Sequence, residues 1–493
     1  MDRVQEAQGG GSTAPVVLPP EAADNAVPGS CGLLGGPVQV DLRGFEAKAW
    51  VPHDYQLRAV HWLATRPEGA LFLPPGMGKT SCSLEAFITL RGMGHAKRML
   101  VLAPLKVCET TWQTEPQKWL QFQGLKVGFA HGPEKELTLV DPYYDVVLLN
   151  YDGLEWASKL LKPGMFDVLL CDEITRLKNS RSKRFGAIKP VLPCFKFRWG
   201  LTGTPAANGL LDLFGQVYVL DLGRRLSKFI THFRAKYFHQ KPRDEYRWYI
   251  TPEKSLMLID KLSDLAMYLD PEDWLKLPDL LHIPLPVALP REARDQYEQL
   301  EDEFIIMLES GAVTAVNAGV LTAKLRQFTG GAVYYNFPEW QHIHDVKLDR
   351  LSDLVDEMAG EPLIVAYMFD HELQRLQERF KNSVALRGGM TSAATKAVVE
   401  SWNAGDVPLL FVQPTSAAYG LNLQFGGSAI CWFTLTYNME EYQQLIARLW
   451  RQGQTKHVRN YILMMEGTID QRVAKVLVMK DAVQSDLFQA LKV

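Results

Sequence analysis

The sequence predicts an α/β chain in which two parallel-sheet lobes stand in tandem with a helical insertion between them. Three observations predict this class. Short runs that are apolar on consecutive positions recur before residue 222 and again after residue 347. Between them, residues 223–335 are dominated by long mixed-charge segments at helical spacing. A glycine-rich Lys-Thr loop follows the first apolar run and precedes a helix-like stretch. The 493 residues are 47% apolar and 22% charged, enough for more than one core, which excludes a disordered or rod-like chain.

In the first lobe the runs are Ala70–Leu73, Met99–Ala103, Asp145–Leu149, Val168–Cys171 and Phe197–Leu201. They are too short for helices and do not alternate, so they read as strands covered on both faces of a parallel sheet. Amphipathic segments between them serve as crossovers. The second lobe repeats the pattern at Leu363–Ala366, Leu409–Val412, Ala429–Phe433 and Tyr461–Met464. Helices are expected over Arg291–Ser310 and Val313–Gln327, and the Pro-rich stretch Leu277–Pro290 reads as a hinge. The expected division is a flexible segment over 1–40, lobe one over 41–222, an insertion and connector over 223–335, and lobe two over 336–493.

Net charge is −3, which excludes a histone-like polycation. Any nucleic-acid contact must then concentrate positive charge locally. The six cysteines are scattered without a C-x-x-C pair, which argues for a reducing compartment and against a disulfide scaffold or zinc site. No run approaches the ~18 apolar residues of a membrane helix, and the N-terminal stretch has no signal-peptide core. A cytoplasmic setting in a bacterial or phage-infected cell is expected, with no membrane partner.

Chemistry-bearing residues fall in three places. Pro75-Gly76-Met77-Gly78-Lys79-Thr80-Ser81 lies between a strand and a helix, the context a phosphate loop needs. Its glycines admit backbone N–H groups to phosphate oxygens, and the helix N-terminus adds its dipole. Lys79 would reach the outer phosphates and Thr80 would hold Mg²⁺. Leu73 stands where the strict pattern has glycine. Next, Asp172 and Glu173 end an apolar strand, where an acid can order the metal and a second can activate water. Asp172 would serve the metal and Glu173 the water. The bland alternative is an exposed acid pair at a helix start. Third, Asn438 reads as the cap of a helix running to Arg451 and stopped by Gly453. On it Gln444, Arg448 and Arg451 share one face, suited to phosphate contact. Here the alternative is a solvated cationic face.

Taken together these motifs resemble the Snf-type ATPases, the Swi/Snf branch of the superfamily-two helicases and translocases, in a compact bacterial or phage-like form. The resemblance runs from about residue 50 to 470. Tyr55 to Leu63 is similar to the adenine-reading Q-motif, with Gln56 as reader. Leu201-Thr202-Gly203-Thr204-Pro205 is similar to motif III, Gly420-Leu421-Asn422-Leu423 to motif V, and Gln444 to Gln454 to motif VI. The resemblance implies tandem RecA-like lobes and ATP hydrolysis with Mg²⁺. It implies catalytic roles for Lys79, Asp172, Glu173, Gln444, Arg448 and Arg451, and nucleotide contact by Gly420 and Asn422. Motion along DNA, most simply duplex DNA, by a monomer is also implied. Lys106, Tyr151, Lys178, Thr202, Thr204 and Arg387 are expected at the nucleic acid, with Arg176, Arg181, Lys183 and Arg184 as further cations. Two departures stand out: Ile174-Thr175 replace the Ala-His of motif II, and Met267-Tyr268-Leu269 sits where the family has paired arginines.

The segment from Phe233 to Arg243 interleaves aromatics and cations and could grip nucleic acid, or be an amphipathic helix whose aromatics pack inward. Two other functions stay open: a strand-separating or branch-migrating helicase, and a nucleotide-dependent DNA clamp with little turnover.

Overall fold

The structure, a computed structural model, describes residues 47–242, 244–309, 315–417 and 421–492. The first lobe opens with strands β1 (Glu68–Phe72), β2 (Met99–Ala103), β3 (Val127–Phe129), β4 (Val146–Asn150), β5 (Val168–Asp172) and β6 (Phe197–Thr202). A hairpin of β7 (Phe238–Lys241) and β8 (Asp244–Ile250) follows, then β9 (Ala266–Tyr268). Seven strands form one sheet in the order β3-β4-β2-β5-β6-β1-β9, and every pairing is parallel. β1 and β2 are buried at every position. Helices cover both faces of such a sheet, which is why its strands are apolar without alternation.

The second lobe contains β10 (Leu280–Val287), a hairpin of β11 (Ala332–Asn336) and β12 (Glu339–His342), β13 (Leu363–Ala366), β14 (Ser383–Leu386), β15 (Leu409–Val412), β16 (Ala429–Trp432) and β17 (Val458–Met465). Six of them make a parallel sheet in the order β10-β17-β16-β13-β15-β14. All nine apolar runs fall on strands of these two sheets, three of them overrunning a strand by one residue: Leu73, Asp145 and Phe433.

The segment 223–335 is less helical than expected. Its helices Arg291–Glu309 and Ala315–Thr329 form, but β9 extends the first sheet and β10 extends the second. The Pro-rich hinge is therefore an edge strand. Pro284 and Pro286 are tolerated because β10 pairs on one side alone, with β17. The chain passes between the sheets in the short stretch between Tyr268 and Leu280. The aromatic and cationic segment forms the helix Ile230–Tyr237 and β7. Phe233, Tyr237 and Phe238 are buried in the first lobe's core, so the inward-packing reading holds; Arg243 lies outside the described residues.

The C-terminal helix, Ile469–Leu491, joins the two cores. Its first half puts Ile469, Val473 and Leu477 into the second lobe. Its last turns put Leu487, Phe488 and Leu491 into the first. Phe488 stacks on Tyr268 with ring centroids 4.0 Å apart. Midway, Lys480 Nζ donates to Asn208 Oδ1 at 3.0 Å and to the Tyr437 carbonyl at 2.7 Å. Among the described residues no helix is long and apolar enough to cross a membrane, and the five cysteines there are free.

If that helix ties the lobes, Phe488→Ala destabilises the whole chain by about 3 kcal/mol, the usual cost of removing a buried phenyl ring. Chemical denaturation checks it, and an unchanged midpoint would mean that the last turns are not docked.

Candidate active site between the lobes

β1 ends where the loop 73–78 turns back into the helix Lys79–Gly92. Two glycines allow that turn. Gly76 and Gly78 have φ of 90° and 75°, which side chains rarely adopt. A β-carbon on Gly78 would also lie 2.3 Å from Gln56 Nε2. Leu73, which replaces a glycine, is fully buried, and its carbonyl accepts from Lys79 Nζ at 2.6 Å.

Beside the loop, β5 delivers Asp172 and Glu173. Trp112 Nε1 donates to Asp172 Oδ2 at 2.8 Å. Glu173 has φ 58° and ψ 58°, a left-handed conformation unusual for any residue but glycine. Its Oε1 accepts from Thr202 Oγ1 at 2.6 Å and from Thr175 Oγ1 at 2.9 Å. Its Oε2 faces Gln444 Nε2 at 3.4 Å, a contact from the other lobe.

Asn438 caps the helix Met439–Ile446 through its side chain, as expected. Its N3 residue, Glu441, takes the Thr436 hydroxyl rather than closing a capping box. The helix is shorter than expected. After Ile446 the chain runs in tighter turns, with Arg448 N bonded to Leu445 O and Arg451 N to Leu449 O. Arg448 and Arg451 thus sit beyond the helix, yet both still reach the cleft. Arg451 Nη1 donates to Asn422 Oδ1 at 2.6 Å. A β-carbon on Gly76 would lie 3.4 Å from Arg451 Cβ and Nε, so this arginine rests against the phosphate loop of the opposite lobe.

These groups line one cavity of about 530 Å³. Gln56, Pro75, Gly76, Gly78, Lys79, Thr80, Ser81, Asp172 and Glu173 come from lobe one; Asn422, Gln444, Arg448 and Arg451 come from lobe two. Met77 is buried beneath the loop, and Gly420 lies outside the described residues. Gln56 is held at both ends: its Oε1 accepts from His53 N at 3.0 Å and its Nε2 donates to Met77 O at 3.3 Å.

The electrostatics favour a polyanion. Burial pushes the Lys79 ammonium below its ordinary value, partly offset by Glu173 and Asp172. Burial, then Arg451, brings the Arg448 guanidinium down to about 9, and burial lowers Arg451. A negatively charged ligand returns interaction energy to such cations. Burial also brings the Asp172 carboxyl up to about 6.

Several expected nucleic-acid contacts are placed elsewhere. Thr202 and Thr204 are buried, the first on Glu173 and the second on the cavity wall, so neither presents a surface to DNA. Tyr151 is buried too, and its hydroxyl donates to the Asp172 carbonyl at 2.9 Å. It supports motif II from beneath. Lys178 pairs with Asp212 at 3.3 Å, and Lys106 Nζ donates to Met390 O of lobe two at 3.0 Å. Arg181, Lys183 and Arg387 are exposed, while Arg184 pairs with Asp152.

Sequence reasoning gave no site role to three residues. Glu440 accepts from Gln444 Nε2 at 3.3 Å, and burial together with Glu173 brings its carboxyl up to about 7. In sequence it reads as a first-turn acid. Glu115 accepts from Ser81 Oγ at 2.6 Å and lines the cavity beside Trp119. The third is Thr175, taken up below.

Residues 55–262 match the SNF2-related domain and residues 346–453 the helicase conserved C-terminal domain. Protein p41 of Acyrthosiphon pisum secondary endosymbiont phage 1 is 34% identical over 463 residues, covering 90% of this chain and 99% of that one. The chain belongs to the SNF2 family of helicase-like ATPases. As a member it is a DNA-dependent hydrolase of ATP. Further relatives are longer. YwqA of Bacillus subtilis is 25% identical over 88% of this chain, which spans 48% of that protein. The DNA repair and recombination protein RAD54-like of Gallus gallus is 22% identical over 83% of this chain, which spans 62% of it. A solved Sulfolobus solfataricus SWI2/SNF2 ATPase core in complex with dsDNA aligns with 89% of the chain and 94% of its own, at 20% identity and a TM-score of 0.44.

The raised Asp172 carboxyl has a sign that can be tested. Its ordinary value is 3.8 and its folded value about 6, so the fold binds the proton more tightly than the unfolded chain. The stability this contributes is complete below the ordinary value and is lost as pH rises through the folded one, about 3 kcal/mol in all. Relative to Asp172→Asn, the unliganded wild type therefore weakens by most of that amount between pH 4 and pH 7. A pH-independent difference in denaturation free energy would contradict the burial of the charge.

Proposed function

We propose that this SNF2-family ATPase translocates along duplex DNA, its step driven by opening and closing of the two lobes around one ATP. The observation that carries this reading is that Lys79 and Arg451, from opposite lobes, line the same cavity. A site completed by two bodies responds to its ligand by changing how they sit. That is the requirement for converting hydrolysis into movement.

The residues divide the work as follows. The loop's N–H groups and Lys79 bind the phosphates of ATP. Thr80 and Asp172 both line the cavity and offer hard oxygen donors, which suit Mg²⁺. When bound, the ion would neutralise charge on the phosphates. Glu173 orients the attacking water and takes its proton. Arg448 and Arg451 stabilise charge on the terminal phosphoryl group, a role typically worth ~10³–10⁵ in rate. Asn422 steadies Arg451. Once the phosphate leaves, Arg448 and Arg451 lose their counter-charge and the lobes can part.

For DNA, the exposed Arg181 and Lys183 of lobe one and Arg387 of lobe two are the proposed backbone contacts, with Lys106 and Lys178 joining when their protein partners release them. Such contacts read phosphate rather than sequence and weaken as salt rises. We also propose action as a monomer, since one chain supplies both walls of the site, within a reducing cytoplasm.

Lys79→Ala is expected to nearly abolish ATP hydrolysis, Glu173→Gln to hold ATP without turnover, and Arg451→Ala to lose turnover while still binding nucleotide. ATPase rate with and without duplex DNA, beside triplex-displacement and forked-duplex assays, tests the reading. Duplex-stimulated turnover with triplex displacement and no fork opening is expected. Fork opening would replace translocation by strand separation, and negligible turnover in every condition would leave a clamp.

A further inference from the structure

Motif II of this chain carries Thr175 where the family resemblance has histidine. The structure gives the threonine a contact of its own. Thr175 is buried, and its hydroxyl donates to Glu173 Oε1 at 2.9 Å. Thr202 Oγ1 donates to the same oxygen at 2.6 Å. The direction of the second bond is fixed, because Thr202 Oγ1 also accepts from Thr204 N at 3.1 Å, leaving its single proton for the carboxylate. The remaining oxygen, Oε2, is the one that meets Gln444 of lobe two at 3.4 Å.

We propose that Thr175 is a positioning residue for ATP hydrolysis: with Thr202 it clamps one oxygen of Glu173, so that the other faces the water and the opposite lobe. The proposal rests on Glu173 being the water-activating group. Two features make a clamp necessary. Glu173 has left-handed backbone geometry, which surrounding contacts must hold in place. A carboxylate at the end of a strand is also free to rotate unless one oxygen is pinned, and a misaimed base loses the near-attack geometry. Thr175 sits two residues past Glu173 on the one-turn helix Ile174–Leu177, while Thr202 ends the neighbouring strand β6. The two hydroxyls therefore come from separate elements of the lobe. Across the lobes, the amide of Gln444 is shared between Glu173 Oε2 and Glu440.

The test compares Thr175→Val, which keeps the shape and removes the hydroxyl, with Thr175→Ser, which keeps the hydroxyl. ATPase rates are measured on the full chain with saturating duplex DNA, and melting temperature is followed in parallel. Losing one charge-assisted hydrogen bond to the base is expected to lower kcat about ten- to hundredfold in the valine variant. The KM for ATP should stay within about twofold and melting should be unchanged, while serine restores kcat to within about threefold. Glu173→Gln is run alongside. If it is inactive while Thr175→Val turns over like wild type, or if serine is as slow as valine, the clamp is overturned and the role of Glu173 stands. If Glu173→Gln itself turns over normally, the underlying reading fails first. Should the valine variant melt early, Thr175→Ala against Thr175→Ser makes the same comparison, and equal kcat in that pair would equally overturn the clamp.

Discussion

Setting the cations Lys79, Arg448 and Arg451 against the carboxylates Asp172 and Glu173 in one cleft, with Glu440 bonded to Gln444 of its wall, is the constraint to which the rest of the structure answers. Burial disfavours the charged form of each cation and of Asp172 and Glu440. Such a cluster persists only where the surrounding fold holds it or a ligand of opposite charge compensates it. Phosphate groups would compensate the cations, and a divalent cation would compensate Asp172. The unfavourable electrostatics of the unliganded cleft thus become binding energy.

The rest of the chain can be understood as the frame for that cluster. Parallel sheets deliver their loops at the C-terminal ends of the strands, and the first lobe places its groups there: the loop after β1, the acids at the end of β5, Thr202 at the end of β6. The lobes are joined twice, by the short passage between β9 and β10 and by the C-terminal helix whose two halves sit in different cores. Two attachments limit the ways one lobe can move on the other. Arg451 rests on Gly76, and Lys480 reaches Asn208, so the cleft and the strut each carry a contact to the first lobe.

Much of this was legible in the sequence, for physical reasons. Strands covered on both faces must be apolar at consecutive positions, so the central strands of both sheets could be read directly. The glycine-rich loop between β1 and the helix Lys79–Gly92 could be read because its glycines answer to one local geometry. β9 and β10 could not, because three residues are too few to show a pattern and because prolines in β10 mimic a linker. Contacts that depend on tertiary structure were invisible. Nothing in the sequence says that Tyr151 turns under motif II, that Thr202 points at Glu173, or that the helix carrying Gln444 stops before Arg448. The bond from Thr175 to Glu173 was invisible for the same reason: it depends on the left-handed turn at Glu173, which no local propensity announces.

The most direct test of the central claim is a crystal structure with a non-hydrolysable ATP analogue and Mg²⁺. The account predicts the terminal phosphate within hydrogen-bonding distance of Lys79 Nζ on one side and of the Arg448 or Arg451 guanidinium on the other. A phosphate chain contacted by the first lobe alone, with both arginines turned away in every state that binds nucleotide and DNA, would contradict it.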